Sequence, residues 1–133
     1  MRLSKKDKHF ISLALVLASM STCNKRTRHG CVIVKAGTPI AVGINFLRND
    51  PHMFQFCLDD AFLENVSTHA EEAALKAIDY QANNCTAYIA RINSSGHQAM
   101  SRPCAHCMEK LKAAGVNKIC YTEYDKSTIE RLQ

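Results

Sequence analysis

Two short stretches carry residues whose types and spacing can do chemistry: His69-Ala70-Glu71 and Pro103-Cys104-Ala105-His106-Cys107. Imidazole nitrogen and thiolate sulfur are standard zinc ligands. Cys104 and Cys107 stand three apart, so at a helix start both lie on one side of the first turn. Unpaired N–H groups and the positive dipole end there favour thiolates over thiols. His69 adds one neutral imidazole from a second helix start. One His and two Cys leave a fourth tetrahedral position for water, the pattern of a catalytic rather than a structural zinc. Zinc draws the pKa of such a water toward ~7. Glu71, two residues past His69, is then placed to move protons rather than to bind metal. A lone C-x-x-C also occurs in redox motifs and structural zinc modules, and His-x-Glu alone says almost nothing. Their combination, in this order and each at a helix start, favours the enzymatic reading over a zinc-stabilised interaction module. His52, Cys57, His97 and His106 show no spacing that completes a fourth protein ligand.

Those two motifs need helices to present them and strands to aim the helices. Phe10, Ala14, Leu17 and Ile11, Leu15, Ala18 recur at helical spacing and predict an amphipathic first helix. A basic, polar loop from Ser21 to His29 follows. The run 31–35 (CVIVK) and the run 40–46 (IAVGINF) predict two strands of a hairpin turned at Gly37-Thr38-Pro39. Leu47 to Val66 is a long irregular connection. Ser67 or Thr68 is expected to cap the next helix, with Ala74, Leu75 and Ile78 inward. Thr86 to Ile92 reads as the third strand. Pro103 opens a helix that Gly115 closes, with Met108, Leu111 and Ala114 inward. Lys118 to Thr122 is the fourth strand, and Ser127 to Leu132 is expected to begin a last helix. Alternating strands and helices imply a mixed or parallel sheet covered on both faces.

Composition sets the outer bounds. The chain has 133 residues, 47% of them apolar, with five Gly and three Pro, which suits one domain spanning 1–133 with a sizeable core. The longest apolar run, Phe10 to Ala18, is short of the ~20 residues that span a bilayer, so no membrane partner is expected. Lys5, Lys6 and Lys8 before FISLALVLASMS resemble a secretory leader, but the helical spacing of the apolar residues favours a retained first helix. Seven cysteines form no disulfide framework and fit a reducing, cytoplasmic setting. The net charge is +5, and the basic excess lies in the N-terminal third, where Lys25, Arg26 and Arg28 share one loop. A nucleotide phosphate or a nucleic acid suits such a loop, as does plain solvation.

With these motifs in hand, the chain resembles the zinc-dependent cytidine and deoxycytidylate deaminase superfamily over residues 10–132, and within it the deoxycytidylate (dCMP) deaminases. Ser21-Thr22-Cys23, Arg26 and HGCVIVK are similar to the segment leading into their first strand, and PCAHCMEKLKAAGVNKICYTEYD to their second zinc motif and beyond. The resemblance implies a three-layer α/β/α cytidine-deaminase-like fold, with a mixed central sheet of four to five strands and helices on both faces. It implies Zn2+ held by His69, Cys104 and Cys107, with Glu71 as the proton shuttle. The Ala70 N–H would hold the base carbonyl, the carbonyl near Ser101 the leaving amine, and Asn45 the sugar. Arg26 and Arg28 are candidates for the phosphate, and Tyr124 borders the site. The expected reaction is hydrolytic deamination of a cytosine nucleotide, dCMP to dUMP plus ammonia, in a homo-oligomer. The alternatives are deamination of free (deoxy)cytidine, or of cytosine or adenine in single-stranded DNA or tRNA. The nucleic-acid alternative has the basic N-terminal third behind it, and against it the absence of Trp for base stacking. Where the family has Gly-Tyr-Asn-Gly, this chain has Gly43-Ile44-Asn45-Phe46, which counts against allosteric control. The family's fifth strand, after the last helix, is expected to be missing.

Overall fold

The computed structural model describes residues 2–21, 28–47 and 67–132. Its elements begin with α1 (Lys5–Ser19), β1 (Arg28–Lys35), β2 (Thr38–Ile44), β3 (Phe46–Leu47) and β4 (Ser67–Thr68). They continue with α2 (Ala70–Ala77), β5 (Thr86–Ile92), β6 (Gln98–Ala99), α3 (Ala105–Ala114), β7 (Lys118–Thr122) and β8 (Ser127–Arg131). The main sheet has the order β2-β1-β5-β7-β8, with β6 added against β5. β5 and β7 are parallel, and the other neighbours are antiparallel. This is the mixed sheet expected from the sequence.

Strand alternation divides the core in two. Cys31, Ile33, Ala87, Ile89 and Ile119 face α2 and α3, meeting Ala74, Leu75, Met108, Leu111 and Ala114. Val32, Val34, Tyr88, Ala90 and Cys120 face α1, meeting Phe10, Ile11 and Ala14. Two glycines set how closely helices approach the sheet. A Cβ on Gly30 would lie 2.3 Å from the Ala14 carbonyl oxygen of α1, and one on Gly43 would lie 2.3 Å from that of Ala70 in α2. The start of α1 is held by a capping box between Ser4 and Asp7. The buried Asp7 carboxylate also accepts from Tyr88 Oη at 2.6 Å and pairs with Lys118 Nζ at 3.3 Å.

Four sequence expectations change. Residues 127–131 form a strand instead of a helix, because Ser127 to Arg131 pair antiparallel with Thr122 to Lys118 and close the free edge of β7. Six residues cannot sustain an isolated helix, whereas Ile129 on β8 is buried. The path of the main sheet thus has five strands, with β8 following β7 directly and no helix between them. The N-cap position of α2 lies beyond the expected Ser67 or Thr68. These two pair with Leu47 and Phe46, and His69 takes the N-cap position without a side-chain cap hydrogen bond. β1 starts at Arg28, earlier than the expected Cys31, since Arg28 and His29 pair with Ile92 and Arg91. The first hairpin turns at Ala36-Gly37, both with positive φ, leaving Thr38 and Pro39 in the strand. No helix among the described residues is long and apolar enough to cross a membrane.

Candidate metal centre

The first turns of α2 and α3 are brought side by side on one face of the sheet. His69 is the N-cap of α2 and Cys104 the N-cap of α3, both in extended backbone conformations, so each side chain leaves its helix at the very start. Cys107 follows one turn later on α3 and is buried, while His69 and Cys104 are exposed. Pro103 and the left-handed Gly115 bound the helix as its sequence expects. The Glu72 carboxylate receives Lys110 Nζ at 2.9 Å, which clips α2 to α3 and keeps the ammonium pKa raised.

His69 Nδ1 lies 3.2 Å from Cys107 Sγ and 3.9 Å from Cys104 Sγ. All three ligand atoms fall within 4.8 Å of one another, and no further His, Cys, Asp or Glu among the described residues joins them. Zinc bonds of about 2.0–2.1 Å to nitrogen and about 2.3 Å to sulfur in a tetrahedron put an imidazole nitrogen and a thiolate sulfur ~3.6 Å apart. The three donors bracket that spacing, so one nitrogen and two sulfurs fit zinc and leave a coordination position that no protein group fills among the described residues. Burial, then the charges of Glu71 and Cys104, hold the Cys107 thiol well above its ordinary pKa. A divalent cation held by these residues would reverse that balance.

Glu71 is the second residue of α2 and is 5% exposed. Its charge, after burial, also pushes up the Cys31 thiol beneath it on β1. Ala70 is fully buried, and its N–H belongs to the helix's first turn, where no intrahelical acceptor exists. Ser101 is buried and stitched to the sheet. Its Oγ donates to the Ile89 carbonyl at 2.9 Å and accepts from Thr122 N at 2.8 Å. Ser101 N donates to the Thr122 carbonyl. This fastens the segment leading into Pro103-Cys104. Asn45 is buried at the end of β2, where its Oδ1 accepts from His29 N at 2.7 Å and from Ser21 Oγ at 2.6 Å.

Of the remaining residues singled out in the sequence, Arg26 lies outside the described residues, as do Lys25, His52 and Cys57. Arg28 is not brought to the cluster. As the first residue of β1 it alternates to the α1 side of the sheet, and its Nη2 donates to the Asn93 carbonyl at 3.2 Å. Tyr124 is 67% exposed on the turn between β7 and β8. The sequence reading passed over Gly43, whose missing side chain lets α2 dock. A glycine inside a strand was the available signal.

Residues 4–123 match the family model for the cytidine and deoxycytidylate deaminase zinc-binding region. The chain is 32% identical over 130 residues to deoxycytidylate deaminase of Saccharomyces cerevisiae, covering 88% of this chain and 37% of that protein. It therefore spans little more than a third of that relative's length. Among solved structures it is similar to dCMP deaminase of the cyanophage S-TIM5 in complex with dCMP and dUMP. That match has a TM-score of 0.67 at 22% identity and covers 90% of this chain and 83% of that one. Cytidine deaminase from Burkholderia pseudomallei gives a TM-score of 0.67 at 12% identity, over 97% of this chain and 93% of the other. These structures share the fold, the family match includes both motif helices, and the cluster at their first turns can hold the zinc for which the family region is described. The chain belongs to the cytidine and deoxycytidylate deaminase family.

Proposed function

We propose that this protein is a zinc-dependent hydrolytic deaminase of a cytosine nucleotide, with dCMP converted to dUMP and ammonia. The observation that carries the reading is the placement of a buried carboxylate, Glu71, beside an open His69–Cys104–Cys107 donor set. A zinc ion bound there supplies the Lewis acidity that makes water a nucleophile at neutral pH. Glu71 takes the proton of the attacking water and gives it to N3 of the base as water adds at C4. Glu71 then carries the second proton to the amino group, which leaves as ammonia. The Ala70 N–H, fixed by the docking of α2 on Gly43, holds the base carbonyl. The backbone carbonyl at Ser101 accepts from the departing amine, and Asn45 contacts the sugar from the end of β2. The nucleotide choice is supported by likeness to the yeast deoxycytidylate deaminase and to the cyanophage enzyme in complex with dCMP and dUMP.

The test is a substrate panel with the zinc-loaded protein: dCMP, deoxycytidine and a cytosine-containing single strand, with and without a chelator, followed by ammonia release. Turnover of dCMP that stops with the chelator is expected. Turnover of the single strand alone would overturn the nucleotide reading.

A further inference from the structure

His29 and Arg91 face each other across β1 and β5. Strand alternation puts this pair on the face of Cys31 and Ile89, the face covered by α2 and α3, whereas their neighbours Arg28 and Ile92 alternate to the α1 side. The pair stands one step beyond Cys31–Ile89, about 6.7 Å along the strands. Cys31 is the thiol that feels the Glu71 charge, and the Ile89 carbonyl is the one that accepts from Ser101. Both members of the pair also touch the rim of the same site. The backbone of His29 bonds Asn45 twice, through His29 N to Asn45 Oδ1 and through Asn45 N to the His29 carbonyl. Arg91 Nη1 reaches to 3.5 Å from the carbonyl of Met100, the residue before Ser101. Both residues are half-buried.

We infer that His29 and Arg91 form the anion-recognition subsite of this centre, taking the phosphomonoester of a nucleotide whose base lies at Glu71 and whose sugar lies at Asn45. The inference rests on the deaminase reading for the base, but its own content is where the anion binds. A guanidinium fork beside an imidazole offers several directed donors to phosphate oxygens. The pairing of His29 with Arg91 joins one basic residue next to the first strand's glycine to another on the third strand, which no local sequence pattern reveals. Arg28, one residue away, is excluded from this role by the parity of β1.

The experiment compares zinc-loaded wild type with Arg91→Gln, Arg91→Lys and His29→Asn, checked for zinc content and thermal unfolding. kcat/KM is measured for dCMP and for deoxycytidine. Binding of dUMP and deoxyuridine is measured by calorimetry. Arg91→Gln should lower kcat/KM for dCMP by roughly 10- to 100-fold and leave deoxycytidine within about threefold, the loss expected for a charge-assisted contact. Arg91→Lys should recover part of the loss. Equal losses on both substrates would make Arg91 a positioning residue for the Met100–Ser101 segment and would overturn the proposal, as would no loss on either. If Arg91→Gln is unstable, the same ratio read in Arg91→Lys and His29→Asn decides. If wild type deaminates neither substrate, the deaminase reading fails and calorimetry still judges the subsite. Tighter binding of dUMP than deoxyuridine, lost in Arg91→Gln or His29→Asn, supports it. Equal or absent binding of the two overturns it.

Discussion

At the residue scale, the proposed deaminase reading separates metal holding from proton transfer. His69, Cys104 and Cys107 place their ligand atoms within 4.8 Å of one another, and Glu71 is outside that set although buried beside it. Glu71→Ala should therefore keep its zinc, measured by elemental analysis, while deaminase turnover falls by about 10²–10⁴-fold, the usual contribution of a placed acid–base group. Loss of metal in that variant would reassign Glu71 as a ligand. These four positions were legible in the sequence because the relation inside each pair is local, three apart on one turn and two apart at another helix start, although 35 residues separate His69 from Cys104. Arg28 was not legible in the same way. Its charge suggested an anion, but pairing with Ile92 fixes the face onto which it projects, and that face is α1's.

At the element scale, two glycines do comparable jobs on opposite faces, which makes a clean comparison. Gly43→Ala forces α2 off β2, since the new Cβ would overlap the Ala70 carbonyl and Ala74 N. It should cost about 1–3 kcal/mol and also weaken zinc binding, because His69 and Glu71 ride on that helix. Gly30→Ala forces α1 away by a comparable overlap with Ala14 and Ala18. It should cost a similar amount and leave zinc affinity near wild type. Chemical denaturation together with competitive zinc titration reads both, and equal effects on metal affinity would argue against α2 docking as the control on the centre. α1 has its own anchor in Asp7. Burial would raise its carboxyl pKa, but hydrogen bonds from Tyr88 and the Ser4 backbone, with Lys118 nearby, hold it below the ordinary value. A depressed folded pKa contributes stability above the unfolded value of ~3.9 and loses it as pH falls through the folded one. Asp7→Asn should lower stability at pH 7 by about 2 kcal/mol, with the gap to wild type shrinking below about pH 4. A gap independent of pH would mean that the carboxylate charge is not what anchors the helix.

At the scale of the whole molecule, the two helices carrying the centre are joined directly by Glu72–Lys110 and, when metal is bound, through the ion itself. Removing zinc should lower the melting temperature by roughly 5–10 °C, the shift expected for losing a ligand held at about a hundred times its Kd. A melting curve unchanged by chelator would mean that the fold does not feel the site. Arg102 and Tyr121 both bond Glu130 on β8, Arg102 at 2.7 Å and 3.2 Å and Tyr121 Oη at 2.7 Å. The last strand is thereby tied to the segment that delivers Cys104. Arg102 is half exposed, so Arg102→Ala should change stability by under about 1 kcal/mol.

The sequence by itself determined the two motif helices, the donor types of the candidate metal site with their spacing, the existence of a hairpin and the three-layer class, because periodicity and turn residues act within a few positions of each other. The tertiary structure decided the rest. It turned residues 127–131 into a strand, since the open edge of β7 outweighs the weak local preference of so short a segment. It also paired β1 with β5 in a register that sends Arg28 one way and His29, beside Arg91, the other. Register is a contact between residues far apart in the chain, and a shift of one position would reverse the face of every side chain on the strand. That is why the residues that could hold a metal were readable along the chain, while those that share their face of the sheet were not.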